Sequence, residues 1–195
     1  MARPREFNQE DAIKGATDIF WRQGFKATSL PDLLKSMRMT RGSFYLAFGT
    51  KQNVYALAMD YYDQNLLSDV VTQLETCDAP EVWDCLAPLF QPGFTDQRGC
   101  FICNAMTELG PENKAVADKA NQMAMRLRDA IQSVLSRRKA RPDASSEREL
   151  ADLILHLYFG YQAIGKAGNT KNNWEDTLKR LLAQYSDGSH ESHPA

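Results

Sequence analysis

Residues Thr28–Lys51, TSLPDLLKSMRMTRGSFYLAFGTK, constrain the chain more than any other stretch. They read as two short helices joined by a tight turn. Thr28 or Ser29 can cap the first, and Pro31 falls in its opening turn, where a missing N–H costs nothing. Leu30, Leu33, Leu34 and Met37 share one face at helical spacing. Arg38 and Met39 make the turn. Thr40 caps the second helix, Phe44 and Phe48 form its apolar face, and Gly49 ends it. What remains exposed at its N-terminus is Thr40, Arg41, Gly42 and Ser43. A helix with small polar and basic side chains there can enter the major groove of DNA. Arg pairs with guanine, Ser and Thr reach base edges, and Gly lets the backbone come close.

The charge is placed to suit that role. Up to Lys51 the chain carries nine basic and five acidic residues, a net +4; after it come fourteen basic and twenty acidic, a net −6. A basic end on an acidic body suits a protein that points one end at a polyanion. Ala2-Arg3-Pro4-Arg5 is a short basic arm, either a minor-groove or phosphate contact or a disordered tail. No apolar run follows Arg3 and Arg5 as a signal peptide requires, and no segment is long enough to span a bilayer. A cytoplasmic location is expected, with all four cysteines reduced.

Helical periodicity dominates the rest, so the expected class is all-α. A first helix spans Asn8–Gln23, capped by Asn8, with Ala12, Ala16, Ile19 and Phe20 as its buried stripe. Phe25 follows its Gly24 stop and plugs the three-helix core. A long helix runs from Lys51 to Glu75. Helices are expected at Glu81–Phe90, Cys100–Leu109, Asn113–Arg138, from a capping box at Ser146 onward, and at Asn173–Gln184. Gln91-Pro92-Gly93 and Lys139–Ser145 separate them. The last two helices carry more apolar surface than one small domain needs, and Gly160, Ala163 and Ala167 keep one strip small. They read as a homodimer interface of two helices from each subunit.

The run Gly42–Lys51, preceded by Gly24-Phe25-x-x-Thr28-Ser29, resembles the TetR family of bacterial transcriptional regulators. The resemblance covers these residues and the helix before them. It implies an N-terminal three-helix helix-turn-helix DNA-binding domain (1–50), a helical effector-binding and dimerisation domain (51–186) and a disordered tail (187–195). It further implies a repressor that binds a palindromic double-stranded DNA operator as a homodimer and is released by a small-molecule effector. Base contacts fall to Arg41, Gly42, Ser43 and Leu46, the last against a thymine methyl. Phosphate contacts fall to Thr28, Ser29, Thr40, Tyr45 and Lys51. The long helix starting at Lys51 is the lever between head and body. Two positions depart from the family pattern. Arg38 stands where Gly is usual in the turn, and Ala47 stands where His or Tyr usually contacts phosphate.

In the body, Tyr61, Tyr62, Trp83, Phe101, Met106, Met123, His156 and Phe159 are candidates for an effector pocket, since deformable Met and flat aromatics suit an apolar ligand. The competing reading is that most fill the core and that His156 is an ordinary hydrogen-bonded histidine. Cys100 and Cys103 share a helix face. Cys100 at a helix N-terminus could be a redox-active thiol with Cys103 resolving, or both are small core hydrophobes. No nucleophile elbow, Walker loop or H-E-x-x-H sequence is present, so no enzyme is expected. No cofactor or metal is expected either. Alternatives are a thiol sensor of oxidants or electrophiles, or a helical ligand-binding protein with no DNA role.

Overall fold

The structure, a computed structural model, describes residues 8–90, 98–137, 144–166 and 174–187. The basic arm at 2–5, the Gln91-Pro92-Gly93 break, the connector up to residue 143, Ala167, and the tail beyond Asp187 with His190 and His193 lie outside the described residues. Every regular element among the described residues is helical, as the periodicity requires. The chain forms two compact units. One comprises residues up to Leu67 together with Phe101–Asn121; the other comprises Ser68–Cys100 and the residues from Gln122 on.

The first unit begins with α1, Gln9–Gln23. The Asn8 side chain accepts from the N–H groups of Glu10 and Asp11, two of the donors every helix start leaves without partners. Ala12, Ala16 and Phe20 face the core at 0–1% exposure. Ile19 is only half-buried, and Trp21 is buried in its place. α2 spans Leu30–Ser36 and α3 Arg41–Phe48. Small residues let α1 and α2 approach closely: a Cβ on Gly15 would collide with the carbonyl of Ser36, whose hydroxyl donates to the Gly15 carbonyl at 2.7 Å. α4, Lys51–Tyr61, packs along α1, and the Thr17 hydroxyl reaches the Ala58 carbonyl across that contact.

The expected helix to Glu75 is present as an unbroken helical run, but its middle is not regular α-helix. After Tyr61 the chain makes a π-helical segment, Tyr62–Leu67, before α5 at Ser68–Thr76. The Asn65 carboxamide donates to the Tyr61 carbonyl at 2.9 Å, a local bond that competes with the regular helical ladder. α7, Phe101–Glu108, and the first two turns of α8, Lys114–Arg137, complete this unit. Phe101 sits at the centre of an aromatic cluster with Trp21, Tyr55 and Tyr62, ring centroids 5.2–6.4 Å apart.

The second unit contains α5, α6 (Val82–Leu86) with a 3₁₀ turn over Ala87–Phe90, the rest of α8, α9 (Ala144–Lys166) and α10 (Trp174–Asp187). α9 starts at Ala144, two residues before the expected capping box. Ser146 therefore lies inside the helix and not at its cap, and Glu147 accepts from the Ser136 hydroxyl at 2.6 Å. One correction bears on redox chemistry. Cys77 and Cys85, expected as reduced thiols, form a disulfide. The turn at Asp78-Ala79-Pro80 brings their Cα atoms to 5.7 Å, within the span a disulfide can bridge. Cys100 and Cys103 remain thiols.

Candidate functional site

The recognition face follows from how α3 divides its residues. Phe44 and Phe48 point inward at 0% and 5% exposure. That leaves Arg41, Gly42, Tyr45 and Leu46 exposed and Ser43 half-buried. Leu46 is 91% exposed, an isolated large apolar group on a surface where water gives it nothing. A Cβ on Gly42 would meet nothing within 4 Å, so the backbone there is open to a close approach. The Thr40 hydroxyl accepts from the Ser43 N–H at 3.2 Å and lies 2.9 Å from the Ser43 hydroxyl. Thr40 thereby fixes the start of the helix, and its hydroxyl is shared with Ser43.

The turn before α3 carries the one non-glycine residue at positive φ among the described residues, Arg38 at 55°. The departure from the glycine usual there is real, and the backbone keeps the left-handed conformation at a cost of roughly 1 kcal/mol.

The phosphate candidates divide. Ser29 is exposed and caps α2, its Oγ accepting from the Asp32 N–H at 3.2 Å. Tyr45 is 52% exposed with its ring edge-on to Phe44. Thr28 does not fit the role by its side chain. It is 1% exposed, and its hydroxyl donates to the Gly24 carbonyl at 2.6 Å. Its β-branched body fills the corner after α1, and the hydroxyl must be satisfied locally there. Lys51 is partly withdrawn as well. Its ammonium donates to the Thr28 carbonyl at 2.5 Å and stands 4.3 Å above the Phe25 ring. Burial lowers its pKa, with the nearby Glu108 carboxylate acting the other way.

Glu108 is a residue the sequence reading passed over. Its carboxylate accepts from the N–H groups of Phe25 at 2.8 Å and Lys26 at 2.6 Å, tying the corner between α1 and α2 to the end of α7. Lys26 adds an ion pair to Glu112 at 2.9 Å. A signal was present: an acid as the last residue of a helix opposes the macrodipole, which implies a donor elsewhere.

The effector candidates are divided between the two units. Tyr62 and Phe101 are core residues of the aromatic cluster in the first unit, where Tyr61 and Met106 are half-buried. In the second unit Trp83 stacks on Phe90 at 6.1 Å, Met123 is fully buried, and Phe159 is half-buried beside Tyr158. His156 is exposed on α9, with Nδ1 2.6 Å from the Asp152 carbonyl, a locally bonded surface histidine. The redox candidate Cys100 is 2% exposed, immediately before α7, which shields it from an approaching oxidant; Cys103 is half-buried. No group of His, Cys, Asp and Glu able to hold a metal occurs among the described residues. No helix among them is long and apolar enough to cross a membrane.

Comparison with known proteins places this geometry. Residues 12–58, which are α1 to most of α4, match the family of bacterial regulatory proteins of the tetR type. The chain is 28% identical to the HTH-type transcriptional repressor ComR of Escherichia coli K12, over 91% of this chain and 93% of that one. It is 29% identical to the uncharacterised HTH-type transcriptional regulator YezE of Bacillus subtilis 168, over 75% and 78%. Among solved structures, a cysteine mutant of the TetR family regulator CifR bound to double-strand operator DNA superposes with a TM-score of 0.75, at 24% identity, over 96% of this chain and 100% of that one. A TetR family regulator from Cytophaga hutchinsonii gives 0.72 at 22% identity, over 94% and 98%. With an exposed recognition face on α3, the chain carries in residues 12–58 a segment that matches the TetR family of bacterial transcriptional regulators, and it resembles regulators of that family in fold along nearly its whole length.

Proposed function

We propose that the protein is a homodimeric repressor that reads a palindromic DNA operator through α3 and is released by a small effector held in its second unit. The observation that carries the DNA reading is the outer face of α3: Arg41, Gly42 and Leu46 are exposed while Phe44 and Phe48 are sunk in the core. Arg41 takes a guanine edge, Ser43 a neighbouring base, and Leu46 a thymine methyl. Ser29, Thr40, Tyr45 and Lys51 hold the backbone, Lys51 with the N–H groups it does not spend on Thr28. ComR is by name a repressor, which supports that sign of regulation. DNA as target supports a cytoplasmic location, and relatives that are regulators support a non-enzymatic role.

Dimerisation is supported by a second apolar face on α9. Its inner stripe is Ala151, Ile154, Leu155, Tyr158 and Tyr161, yet Leu153 (54%), Leu157 (39%) and Ile164 (50%) remain exposed. Gly160 on that side has open space where a Cβ would stand. An apolar stripe broken by a glycine suits close approach by the same helix of a second copy. Two α3 helices related by the two-fold then enter successive major grooves about one helical turn apart. An effector in the second unit would alter the path of the segment from Lys51 to Thr76 and with it the head spacing.

A mobility-shift assay on DNA upstream of the protein's own reading frame, with salt titration, tests the proposal. Arg41→Ala is expected to weaken specific binding by about 1–3 kcal/mol and relax preference at one base pair. Lys51→Met is expected to weaken binding to all sequences alike and to reduce the salt slope by about 0.9. If Arg41→Ala selected the same sites as the unaltered protein with equal affinity, α3 would not be the reading helix.

A further inference from the structure

Gln162 breaks the pattern of α9. It lies on the inner stripe, at a position where the neighbouring turns carry Ile154, Leu155, Tyr158 and Tyr161, and it is 1% exposed. Neither its Nε2 nor its Oε1 has a hydrogen-bond partner among the described residues. An unpaired buried carboxamide costs on the order of 1–3 kcal/mol for each polar end, so native proteins rarely keep one without a use.

The surroundings define what would use it. Tyr158, one helical turn before Gln162, and Tyr161, its neighbour, both meet the Phe90 ring edge-on, at 6.2 and 5.9 Å. Phe90 in turn stacks on Trp83 with the rings 7° from parallel. On the backbone side Gly99, at φ 66°, comes so close that an added Cβ would sit 3.2 Å from the Gln162 carbonyl oxygen. Tyr158 shares a helix face with Gln162, and aromatic surface together with one unpaired amide is the composition of a small-molecule site: mostly apolar, with a few polar groups that fix orientation.

We infer that Gln162 is the recognition group for the effector, and that the effector presents a neutral edge with a hydrogen-bond donor beside an acceptor on a flat ring. Primary amides, lactams and un-ionised carboxylic acids have such an edge, and each can form two parallel hydrogen bonds with a carboxamide. An ionised carboxylate does not fit, because it offers no donor to Oε1. The inference rests on the reading of the second unit as effector-binding and specifies its ligand class.

The test uses the full chain and three probes of similar size: benzamide, benzoate and isopropylbenzene. Binding is followed by thermal unfolding and by the side-chain NH₂ resonances of Gln162, assigned by their loss in Gln162→Leu. Benzamide is expected to bind the unaltered protein and shift those resonances, with benzoate at least tenfold weaker. Gln162→Leu is expected to bind benzamide at least tenfold more weakly, to keep isopropylbenzene, and to unfold at a temperature no lower than the unaltered protein. Gln162→Met, unbranched and of the same length, serves if the leucine variant does not fold. Equal binding of benzamide by the unaltered protein and either variant would overturn the role of Gln162 while leaving a ligand-binding body intact. Failure of all three probes to bind would count against the effector reading itself and the inference with it.

Discussion

Glu108 holds the backbone of Phe25: its Oε2 accepts the Phe25 N–H at 2.8 Å, while its Oε1 takes the Lys26 N–H at 2.6 Å. Gly24 makes room for this. At φ 81° it bends the chain, and a Cβ there would stand 2.7 Å from the same carboxylate. The residues after this corner lead directly into Ser29, the cap of α2.

Glu108→Ala should therefore cost about 2–3 kcal/mol of stability, since charge-assisted bonds are stronger than neutral ones and the Phe25 N–H is partly buried. Glu108→Gln keeps one acceptor oxygen and should lose roughly half as much. Urea denaturation of the two variants measures this. Equal stability of Glu108→Ala and the unaltered protein would show that water replaces the carboxylate at no cost.

The contrast between α3 and Glu108 shows how much was legible in the sequence. α3, its Thr40 cap, its Gly49 stop and its buried Phe44 and Phe48 follow from local rules, and the structure agrees with them. So does the left-handed turn at Arg38. Side-chain pairings were not legible, whether distant, as at Glu108, or local. The Cys77–Cys85 bridge depends on the turn at Asp78–Pro80 closing to 5.7 Å, which no spacing rule supplies. Thr28 reads as a polar residue near DNA, yet its hydroxyl folds back on Gly24 because the corner buries it. In the π-helical segment Asn65 donates to the Tyr61 carbonyl, and an amphipathic pattern alone reads straight through that segment. Gln162 was invisible because a single polar residue in an apolar stripe is ordinary until burial and lack of partners are known.

Arg38→Gly should stabilise the protein by about 0.5–1 kcal/mol. Glycine adopts φ 55° without the Cβ penalty, a gain partly offset by its larger freedom in the unfolded chain. Arg38→Ala, which keeps the Cβ, should give no such gain. Midpoints of urea unfolding compare the two; a gain shared by both would trace to the lost guanidinium and not to the backbone.

Reduction of Cys77–Cys85 should lower the stability of the second unit. The bridge closes a loop of eight residues, and loop-closure entropy of that size is worth about 2–3 kcal/mol. Cys85 is 3% exposed, whereas Cys77 is half-buried, so reductant is expected to attack at Cys77. Denaturation with and without dithiothreitol, alongside Cys77→Ser, checks both points. A variant insensitive to reductant with the stability of the reduced protein is the expected result. Identical curves for the unaltered protein in both conditions would mean that the bond does not constrain the unfolded chain.

Lys119 supplies a prediction with a defined pH window. Its ammonium lies 2.9 Å from Asp60 on α4 and 2.9 Å from Asp63 in the π-helical segment, which joins α8 to both. Burial alone would lower its pKa, but bonding to the two carboxylates outweighs that and raises it above the ordinary 10.5. A lysine whose pKa is higher folded than unfolded contributes stability that is fully present below 10.5 and lost as pH rises through the folded value. Because the side chain is 29% exposed and Asp60 is 49% exposed, solvent screens much of the attraction. Lys119→Met should therefore cost about 1 kcal/mol at neutral pH, including the repulsion left between Asp60 and Asp63. Its deficit should shrink above pH 10.5, where the unaltered protein loses the same charge. Unfolding free energies of both proteins at pH 7, 9 and 11 measure the difference. A deficit that stays constant to pH 11 would assign the loss to packing of the lysine stem against α4 and not to its charge.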